Sequence, residues 1–256
     1  MRVIVTGAAR GIGAAIAARL VEGGGSVLLV DRDQSVAATS QDLARTAGNE
    51  QVAHLVGDTS LEGTVDEACT LATARFGGID GLVNNAGIGG SHDLAVDTDV
   101  TAFREILDIN LVGYFIFARA VARHLLANQR AGSIVSIGSM FGQRASTRFV
   151  AYCASKGGVA LMSQTLALEL ARDRIRVNTV APGNIETEMH WTALRAEAAL
   201  MGTTLEQEVA KQAEEVPMGR LGSPSEIADA VVWLLSEQSS YVTGQTIAVN
   251  GGVYLS

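Results

Sequence analysis

Thr6-Gly7-Ala8-Ala9-Arg10-Gly11-Ile12-Gly13 is a glycine-rich stretch between two segments with different patterns of apolar residues. It follows the apolar run Arg2–Thr6, which is typical of a buried strand, and it opens an alanine-rich run at residues 14–21, which is typical of a helix. Glycines let a backbone approach a pyrophosphate closely, and a helix N-terminus offers free N–H groups. A strand, a glycine turn and a helix are the context of a dinucleotide-binding fingerprint, although any tight turn between strand and helix can use glycine.

A second predicted strand, Ser26–Asp31, ends in an acid about 20 residues past the glycine turn. At that position a carboxylate can hydrogen-bond the adenosine ribose hydroxyls and repel a 2′-phosphate, which favours NAD over NADP. Arg10 and Arg32 flank the same region, and either could pair with a 2′-phosphate. We give the acid more weight because it stands at the strand end. An acid that only builds a turn is the other interpretation of Asp31.

The rest of the chain alternates strands with helices. Further strands are predicted near residues 51–56, 80–83, 134–138, 175–180 and 244–249, with a helical stretch between each and the next. Residues 101–128 are predicted as a long helical stretch with an apolar face. This alternation predicts an α/β fold with a parallel sheet covered on both faces, and 256 residues suit one domain, residues 1–256.

The segment Tyr152-Cys153-Ala154-Ser155-Lys156 lies in a run that is typical of a helix, so Tyr152 and Lys156 share one helix face. A nearby ammonium favours the phenolate and lowers the pKa of a tyrosine, which makes a plausible general acid and base. Ser139 follows a buried-type strand, where open α/β sheets bind ligands. The alternative is a tyrosine and a lysine that only share a helix surface.

Other polar residues follow strands or interrupt apolar runs. An acid at Asp58, beside Thr59, could reach the adenine amino group or could only build a turn. The small and amide residues 84–87 allow a cofactor to approach, or form a turn. Asn110 lies in an apolar helical environment, where it could kink the helix and hold water or be a core amide bonded to backbone.

Composition excludes several classes of function. The chain is 48% hydrophobic with a formal net charge of −8, so neither nucleic acid nor an acidic membrane surface is an expected partner. No apolar run approaches the roughly 18 residues of a membrane span, and the N-terminal run is too short for a signal peptide. Cys69 and Cys153 are far apart and lack the spacing of metal-binding cysteines. We therefore expect reduced thiols in a cytoplasmic protein and no metal site.

Taken together, these motifs resemble the short-chain dehydrogenase/reductase family over essentially the whole chain. The resemblance rests on five motifs in family order and spacing: Thr6-Gly7-x-x-x-Gly11-Ile12-Gly13, Asn84-Asn85-Ala86-Gly87, Ser139, Tyr152-x-x-x-Lys156 and Pro182-Gly183. It implies a Rossmann-like, doubly wound, seven-stranded parallel sheet in three α/β/α layers, a nicotinamide cofactor and a homotetramer. It also implies a catalytic tetrad of Asn110, Ser139, Tyr152 and Lys156.

In the family scheme Tyr152 exchanges a proton with the substrate oxygen, and Ser139 hydrogen-bonds the same oxygen. Lys156 holds the nicotinamide ribose and lowers the pKa of the tyrosine, while Asn110 anchors a relay water. The residues expected to contact the cofactor are Gly7, Arg10, Gly11, Ile12, Gly13, Asp31, Arg32, Asp58, Thr59, Asn85, Ala86, Gly87, Tyr152, Lys156, Pro182, Gly183, Ile185 and Thr187.

Residues 184–216 are the least family-like segment, and two helical runs there predict a lid over the substrate. His190 and Trp191 could face substrate or only pack the lid, and Met189 is more often core filler. Arginines in the loop after Ser139 are more often solvated than bound to substrate. The residues expected to contact substrate are Ser139, Gln143, Arg148, Tyr152, Asn184, Met189, His190 and Trp191.

The sequence therefore predicts an NAD-dependent oxidoreductase that interconverts a secondary alcohol and a ketone. The lid and the polar loop at Gln143-Arg144 look most like family members that act on small polar diols, polyols or sugars. An NADPH-dependent 3-oxoacyl thioester reductase is the alternative if Arg10 and Arg32 outweigh Asp31. A non-catalytic cofactor-binding protein on the same fold is a third hypothesis, and the intact Ser139, Tyr152 and Lys156 speak against it.

Overall fold

Seven parallel strands form one sheet in the computed structural model, which describes residues 1–47 and 50–255. Within that part of the chain the spatial order is β3-β2-β1-β4-β5-β6-β7, which confirms the predicted doubly wound sheet. The strands are β1 (Arg2–Thr6), β2 (Ser26–Asp31), β3 (Val52–Val56), β4 (Gly81–Asn84), β5 (Gly132–Ile137), β6 (Ile175–Pro182) and β7 (Thr246–Val249).

Helices cover both faces of this sheet. One face is covered by α1, α2 and α9, and the other by α3, α5 and α6, so the three α/β/α layers are confirmed. The helices are α1 (Gly11–Glu22), α2 (Val36–Ala47), α3 (Glu62–Phe76), α4 (Val100–Leu107), α5 (Gly113–Ala127), α6 (Val150–Leu170), α7 (Glu188–Met201), α8 (Leu205–Glu215) and α9 (Pro224–Leu235).

Strand β1 shows how the sequence builds the two cores. Val3 and Val5 pack into the cluster under α1 and α9, while Ile4 between them packs into the cluster under α5 and α6. Successive side chains of a strand point to opposite faces, so an unbroken apolar run is required where both faces are covered. Each such side chain contributes roughly 1.5–3 kcal/mol by leaving water.

The helical stretch predicted at residues 101–128 is present, and a π-helical turn interrupts it. The structure has α4, a π-helical turn at Asp108–Val112, and then α5. The turn contains Asn110, whose amide bonds both backbone groups of Ile88 and holds the helix against the loop after β4. Single π-helical turns inside α-helices often occur at functional sites, and apolar periodicity does not reveal them.

Two helices, α7 and α8, occupy the segment where the lid is predicted. Gly202 separates them in a left-handed conformation, with φ of +70°, which a residue with a side chain rarely adopts. Thr204 then caps α8, because its hydroxyl accepts the backbone N–H of Gln207 at 3.3 Å. None of the helices described within residues 1–47 and 50–255 combines the length and apolar character needed to cross a bilayer.

Candidate active site

The loops after β1 and β4 meet where the strand order of the sheet reverses. The side-chain amide of Asn85 donates to the carbonyl oxygens of Thr6 and Gly7 at 3.0 and 2.8 Å. The hydroxyl of Thr6 in turn accepts the backbone N–H of Ala86 at 3.2 Å. Open α/β sheets bind ligands in the crevice at this switch point, so the two motifs line the expected place for a dinucleotide.

The glycine turn is packed too closely for side chains. A Cβ atom on Gly13 would lie 2.1 Å from the carbonyl oxygen of Gly7, and one on Gly7 would lie 2.6 Å from the Cα of Ala86. Helix α1 then begins without a capping side chain or an acid in its first turn. Its first N–H groups and partial positive charge are therefore available to an anion, and this fits a dinucleotide pyrophosphate.

Asp31 joins the end of β2 to the glycine turn. One carboxylate oxygen accepts the backbone N–H of Ala9 at 2.9 Å, and the other accepts that of Asp33 at 3.0 Å. A carboxylate offers about four acceptor positions, so positions remain for two ribose hydroxyls. Arg10 pairs with Asp33 at 3.0 Å, while Arg32 is exposed near Asp58.

Asp58 and Thr59 build the turn after β3. The carboxylate of Asp58 accepts both the hydroxyl and the backbone N–H of Ser60, at 2.7 and 2.8 Å. Those hydrogen bonds, the side-chain one first, lower the pKa of Asp58. Thr59 is buried, and its carbonyl lies against Gly113 at the start of α5. Asp58 therefore stabilises the turn, as one of its two interpretations predicts, and its contact with adenine stays a prediction.

Lys156 is buried at the carboxyl end of β5. Its ammonium nitrogen donates to the carbonyl of Ile137 at 2.8 Å and to the hydroxyl of Tyr114 at 3.2 Å, and it lies 5.8 Å from the ring centre of Tyr152. A Cβ on Gly87 would be 3.7 Å from the same nitrogen. The predicted helix face and the loop after β4 therefore converge on Lys156.

The side chains of Ser139 and Tyr152 lie close enough to influence one another, beside that lysine. Ser139 directly follows β5 and Gly138, and its hydroxyl oxygen accepts the backbone N–H of Phe141 at 3.1 Å. This bond caps a short 3-10 turn, Met140–Gly142, and fixes the position of the serine.

The expected lowering of the tyrosine pKa is not found in this structure. Burial raises the pKa of Tyr152, and the nearby Ser139 hydroxyl only partly opposes this. Burial also lowers the pKa of Lys156 to about 7, so its ammonium is only partly charged near neutral pH. The expectation assumed a permanent positive charge, whereas desolvation disfavours the charged form of both groups.

Asn110 is satisfied by neighbouring backbone and by one hydroxyl. Its oxygen accepts the N–H of Ile88 at 2.8 Å, and its nitrogen donates to the carbonyl of Ile88 at 2.9 Å and to the hydroxyl of Ser155 at 3.2 Å. Ser155 donates to the carbonyl of Tyr152 at 2.8 Å. The interpretation of Asn110 as an amide bonded to backbone is therefore confirmed. The chain also leaves α-helical geometry at this residue. A water bound by Asn110 stays a prediction.

The segment after β6 closes the crevice from the other side. A Cβ on Gly183 would lie 2.8 Å from the Cα of Asn250, so Pro182-Gly183 passes tightly against the chain after β7. Ile185 is buried, and Thr187 caps α7. A Cβ on Gly11 would be 3.6 Å from the methyl group of Thr187, so the lid begins directly beside the glycine turn.

Comparison with known proteins agrees with this fold and shows the family. A family model described as enoyl-(acyl carrier protein) reductase matches residues 7–254. The protein called glucose 1-dehydrogenase 2, from Bacillus subtilis (strain 168), is 35% identical over 253 residues, covering 98% of this chain and 94% of that protein.

The chain belongs to the short-chain dehydrogenase/reductase family. A 3-oxoacyl-[acyl-carrier-protein] reductase FabG from Vibrio cholerae serotype O1 (strain ATCC 39315 / El Tor Inaba N16961) is 37% identical, covering 98% of this chain and 96% of that protein. The solved structure of sorbitol-6-phosphate 2-dehydrogenase SrlD from Erwinia amylovora has a TM-score of 0.94 and 27% identity, covering 99% of this chain and 100% of that one. The chain is therefore an oxidoreductase that acts on CH–OH groups with a nicotinamide cofactor.

Three of the predicted substrate residues of this short-chain dehydrogenase/reductase, Gln143, Arg148 and Asn184, lie in loops. Gln143 follows the Ser139 turn, and its side-chain oxygen is buried with no hydrogen-bond partner among residues 1–47 and 50–255. Arg148 instead donates to the carbonyl of His92 at 3.1 Å, so it tethers the loop after β4. The carbonyl of Asn184 accepts the N–H of Gly222 at 2.9 Å, which holds the start of the lid.

The lid residues pack mainly on one another. The rings of His190 and Trp191 are 5.6 Å apart, and His190 faces Gln212 of α8. Burial lowers the pKa of His190, and the contact with Gln212 partly opposes this. Met189 is half exposed. Packing of the lid is therefore visible, and contact of these side chains with substrate stays a prediction.

Sequence reasoning missed Tyr114. This residue is almost fully buried in α5, and its hydroxyl meets both Lys156 and the carbonyl of Ile137. An aromatic in an apolar helical run is usually core, so the pattern carried no signal of its polar role. The only available signal was its spacing of one turn after Asn110, which places both on one helix face in a regular helix.

Proposed function

We propose that this enzyme is an NAD-dependent dehydrogenase that interconverts a secondary alcohol and a ketone in a small polar diol, polyol or sugar. The observation that carries the proposal is the closeness of the Ser139 and Tyr152 side chains to one another beside Lys156, where the dinucleotide crevice opens. When bound, the nicotinamide ring would accept or supply the hydride.

The choice of NAD rests on Asp31. Its carboxylate keeps acceptor positions for ribose hydroxyls, and its charge opposes a 2′-phosphate. The first N–H groups of α1 would hold the pyrophosphate. The residues that would line the nicotinamide half of the crevice are Asn85, Ala86, Gly87, Pro182, Gly183, Ile185 and Thr187.

Proton transfer would occur at the Tyr152 oxygen. In the oxidative direction Tyr152 would act as the phenolate and take the proton of the substrate hydroxyl, and in the reductive direction the phenol would return that proton to the substrate oxygen. Ser139 would hydrogen-bond the same substrate oxygen and so fix the reacting carbon. Lys156, whose pKa is about 7, would supply positive charge beside the phenol. Asn110 is proposed to anchor a water that relays the proton.

A polyhydroxylated substrate is supported by the polar lining and by the relatives. The unpartnered oxygen of Gln143 can accept a bond from a second substrate hydroxyl, because a buried acceptor without a donor is unfavourable. Asn184 and His190 would add polar contacts, and Met189 and Trp191 apolar ones. The names of two relatives, a glucose dehydrogenase and a sorbitol-6-phosphate dehydrogenase, describe substrates of this class.

Reduction of a 3-oxoacyl thioester with NADPH is the second candidate. The 37% identity to a FabG protein favours it, as do Arg10 and Arg32 beside the adenosine end. We rank it lower because Arg10 is paired with Asp33 and Asp31 stands at the strand end. We also infer a homotetramer, as the resemblance implies, and a cytoplasmic location, as the two free cysteines favour.

The proposed function is tested by measuring NAD⁺ reduction over a panel of diols, sugar alcohols, sugars and hydroxy acids, with acetoacetyl thioesters and NADPH as the opposing arm. Tyr152→Phe should lower kcat for the best substrate by about a hundredfold or more, since a general acid and base contributes roughly 10²–10⁴. NAD⁺ binding should persist in that variant.

The matched control is Tyr241→Phe, which removes a hydroxyl from a fully exposed tyrosine and should keep wild-type turnover. Full turnover by the Tyr152→Phe variant would assign proton transfer to another group. Turnover of the thioester alone would replace the polyol assignment by the second candidate.

A further inference from the structure

The adenosine end of the crevice contains a second acid, Asp33, that the sequence pattern does not single out. Its backbone N–H donates to Asp31 at 3.0 Å, and the backbone N–H of Ala9, which precedes Arg10, donates to the other oxygen of Asp31 at 2.9 Å. Asp33 and Arg10 therefore stand on either side of the carboxylate that is proposed to bind the ribose.

The side chains of these two flanking residues are joined. One oxygen of Asp33 accepts the guanidinium of Arg10 at 3.0 Å, and the other accepts the backbone N–H of Ser35 at 2.9 Å. The bond to Ser35 orients the carboxylate. The pKa of Asp33 is lowered, first by its hydrogen bonds with Ser35 and then by Arg10, so the group is charged at neutral pH.

We propose that Asp33 is a cofactor-specificity residue that withholds Arg10 from a 2′-phosphate. A guanidinium beside the ribose is the natural partner of such a phosphate, because it can donate two parallel hydrogen bonds. Asp33 occupies that guanidinium and also places a like charge beside the phosphate position. This inference rests on the proposed use of NAD and explains how a chain with arginines at residues 10 and 32 would still reject NADP.

The ion pair is exposed, so its own contribution to stability is small. A ligand phosphate would have to displace the carboxylate from Arg10 while lying close to two acids, and both effects act only on the phosphorylated cofactor. Removing the charge of Asp33 leaves the turn intact if the replacement keeps an oxygen for the N–H of Ser35, which asparagine does.

The test measures the dissociation constants of NAD⁺ and NADP⁺ by calorimetry, without turnover, for the wild type and for Asp33→Asn. The ratio of the NADP⁺ constant to the NAD⁺ constant should fall about tenfold or more in the variant, since a hydrogen bond to a charged group becomes available. In Arg10→Gln/Asp33→Asn most of that fall should disappear. The control Asp229→Asn removes an equal charge from an exposed pair with Arg19 and should keep the wild-type ratio.

The outcomes separate this inference from the proposed function. A wild type that prefers NAD⁺, with an unchanged ratio in Asp33→Asn, overturns the inference alone. A fall that persists in the double variant also overturns it, because Arg10 would then not be the released group. A wild type that binds NADP⁺ more tightly overturns the inference and the choice of NAD together.

Discussion

Lys156 shows what a single residue does in this site. It shares a helix face with Tyr152, as its spacing of four residues predicts. The spacing does not reveal that the ammonium is buried between the carbonyl of Ile137 and the hydroxyl of Tyr114. Desolvation there lowers the pKa to about 7, so the charge that the family scheme assumes is itself titratable at working pH.

Stability should therefore depend on pH through this lysine. The folded-state pKa of Lys156, about 7, lies below its ordinary value of 10.5, so between these values the unfolded chain binds more protons. The free energy of unfolding of the wild type should then rise with pH across this window, by up to about 1.4 kcal/mol per unit relative to a Lys156→Met variant.

Urea unfolding of both proteins between pH 7 and pH 9 checks this slope. The exposed lysine of α8, Lys211, provides the matched control, because a Lys211→Met variant loses an ammonium that stays in water. If the free energies of unfolding of the wild type and Lys156→Met had the same pH dependence, burial would not lower the pKa of Lys156 as described.

The sequence predicts the strand and helix on either side of the glycine turn more completely than it predicts the environment of Lys156. The order of strand, turn and helix is correct, although α1 begins at Gly11, three residues before the helical run predicted at residues 14–21. The pattern does not show which glycines are essential. Gly13 is essential because its backbone meets the carbonyl of Gly7, a contact between two ends of the turn that only the folded chain contains.

Gly13→Ala should therefore destabilise the protein by roughly 2 kcal/mol or more, because overpacking against a backbone carbonyl at 2.1 Å cannot relax cheaply. Gly63→Ala in α3 is the matched control. A Cβ there meets nothing within 4 Å, so alanine should stabilise the helix by about 0.5–1 kcal/mol. Thermal unfolding of the two variants compares them, and equal midpoints would refute the steric argument.

At the scale of the whole molecule, the sheet order brings distant motifs together. Residues near 7, 85, 139, 152 and 187 lie far apart in the chain and meet at the carboxyl ends of parallel strands.

Apolar side chains also remain exposed on the outer helices, with Leu161 and Leu168 of α6 exposed by 67% and 84%. These two residues are seven apart and lie on one stripe of the helix.

That stripe is where the expected homotetramer should form contacts. Sedimentation velocity of the wild type should show a particle larger than a monomer, and Leu161→Glu/Leu168→Glu should shift it toward smaller species, because charges in an apolar contact are costly to desolvate. Val96→Glu adds a charge at a loop position exposed by 89% and should leave assembly unchanged. A monomeric wild type would contradict the tetramer.

The alternation of seven strands with helices can be predicted from the sequence, because apolar periodicity acts over short distances along the chain. The spacing of the glycines, Tyr152 and Lys156 carries the family resemblance from which the site residues are predicted. Only the tertiary structure decided which groups carry charge and which are already bonded. It buried Lys156, inserted a π-helical turn at Asn110, and paired Arg10 with Asp33. Solvent exclusion and hydrogen bonding depend on neighbours from distant parts of the chain, so local patterns do not contain them.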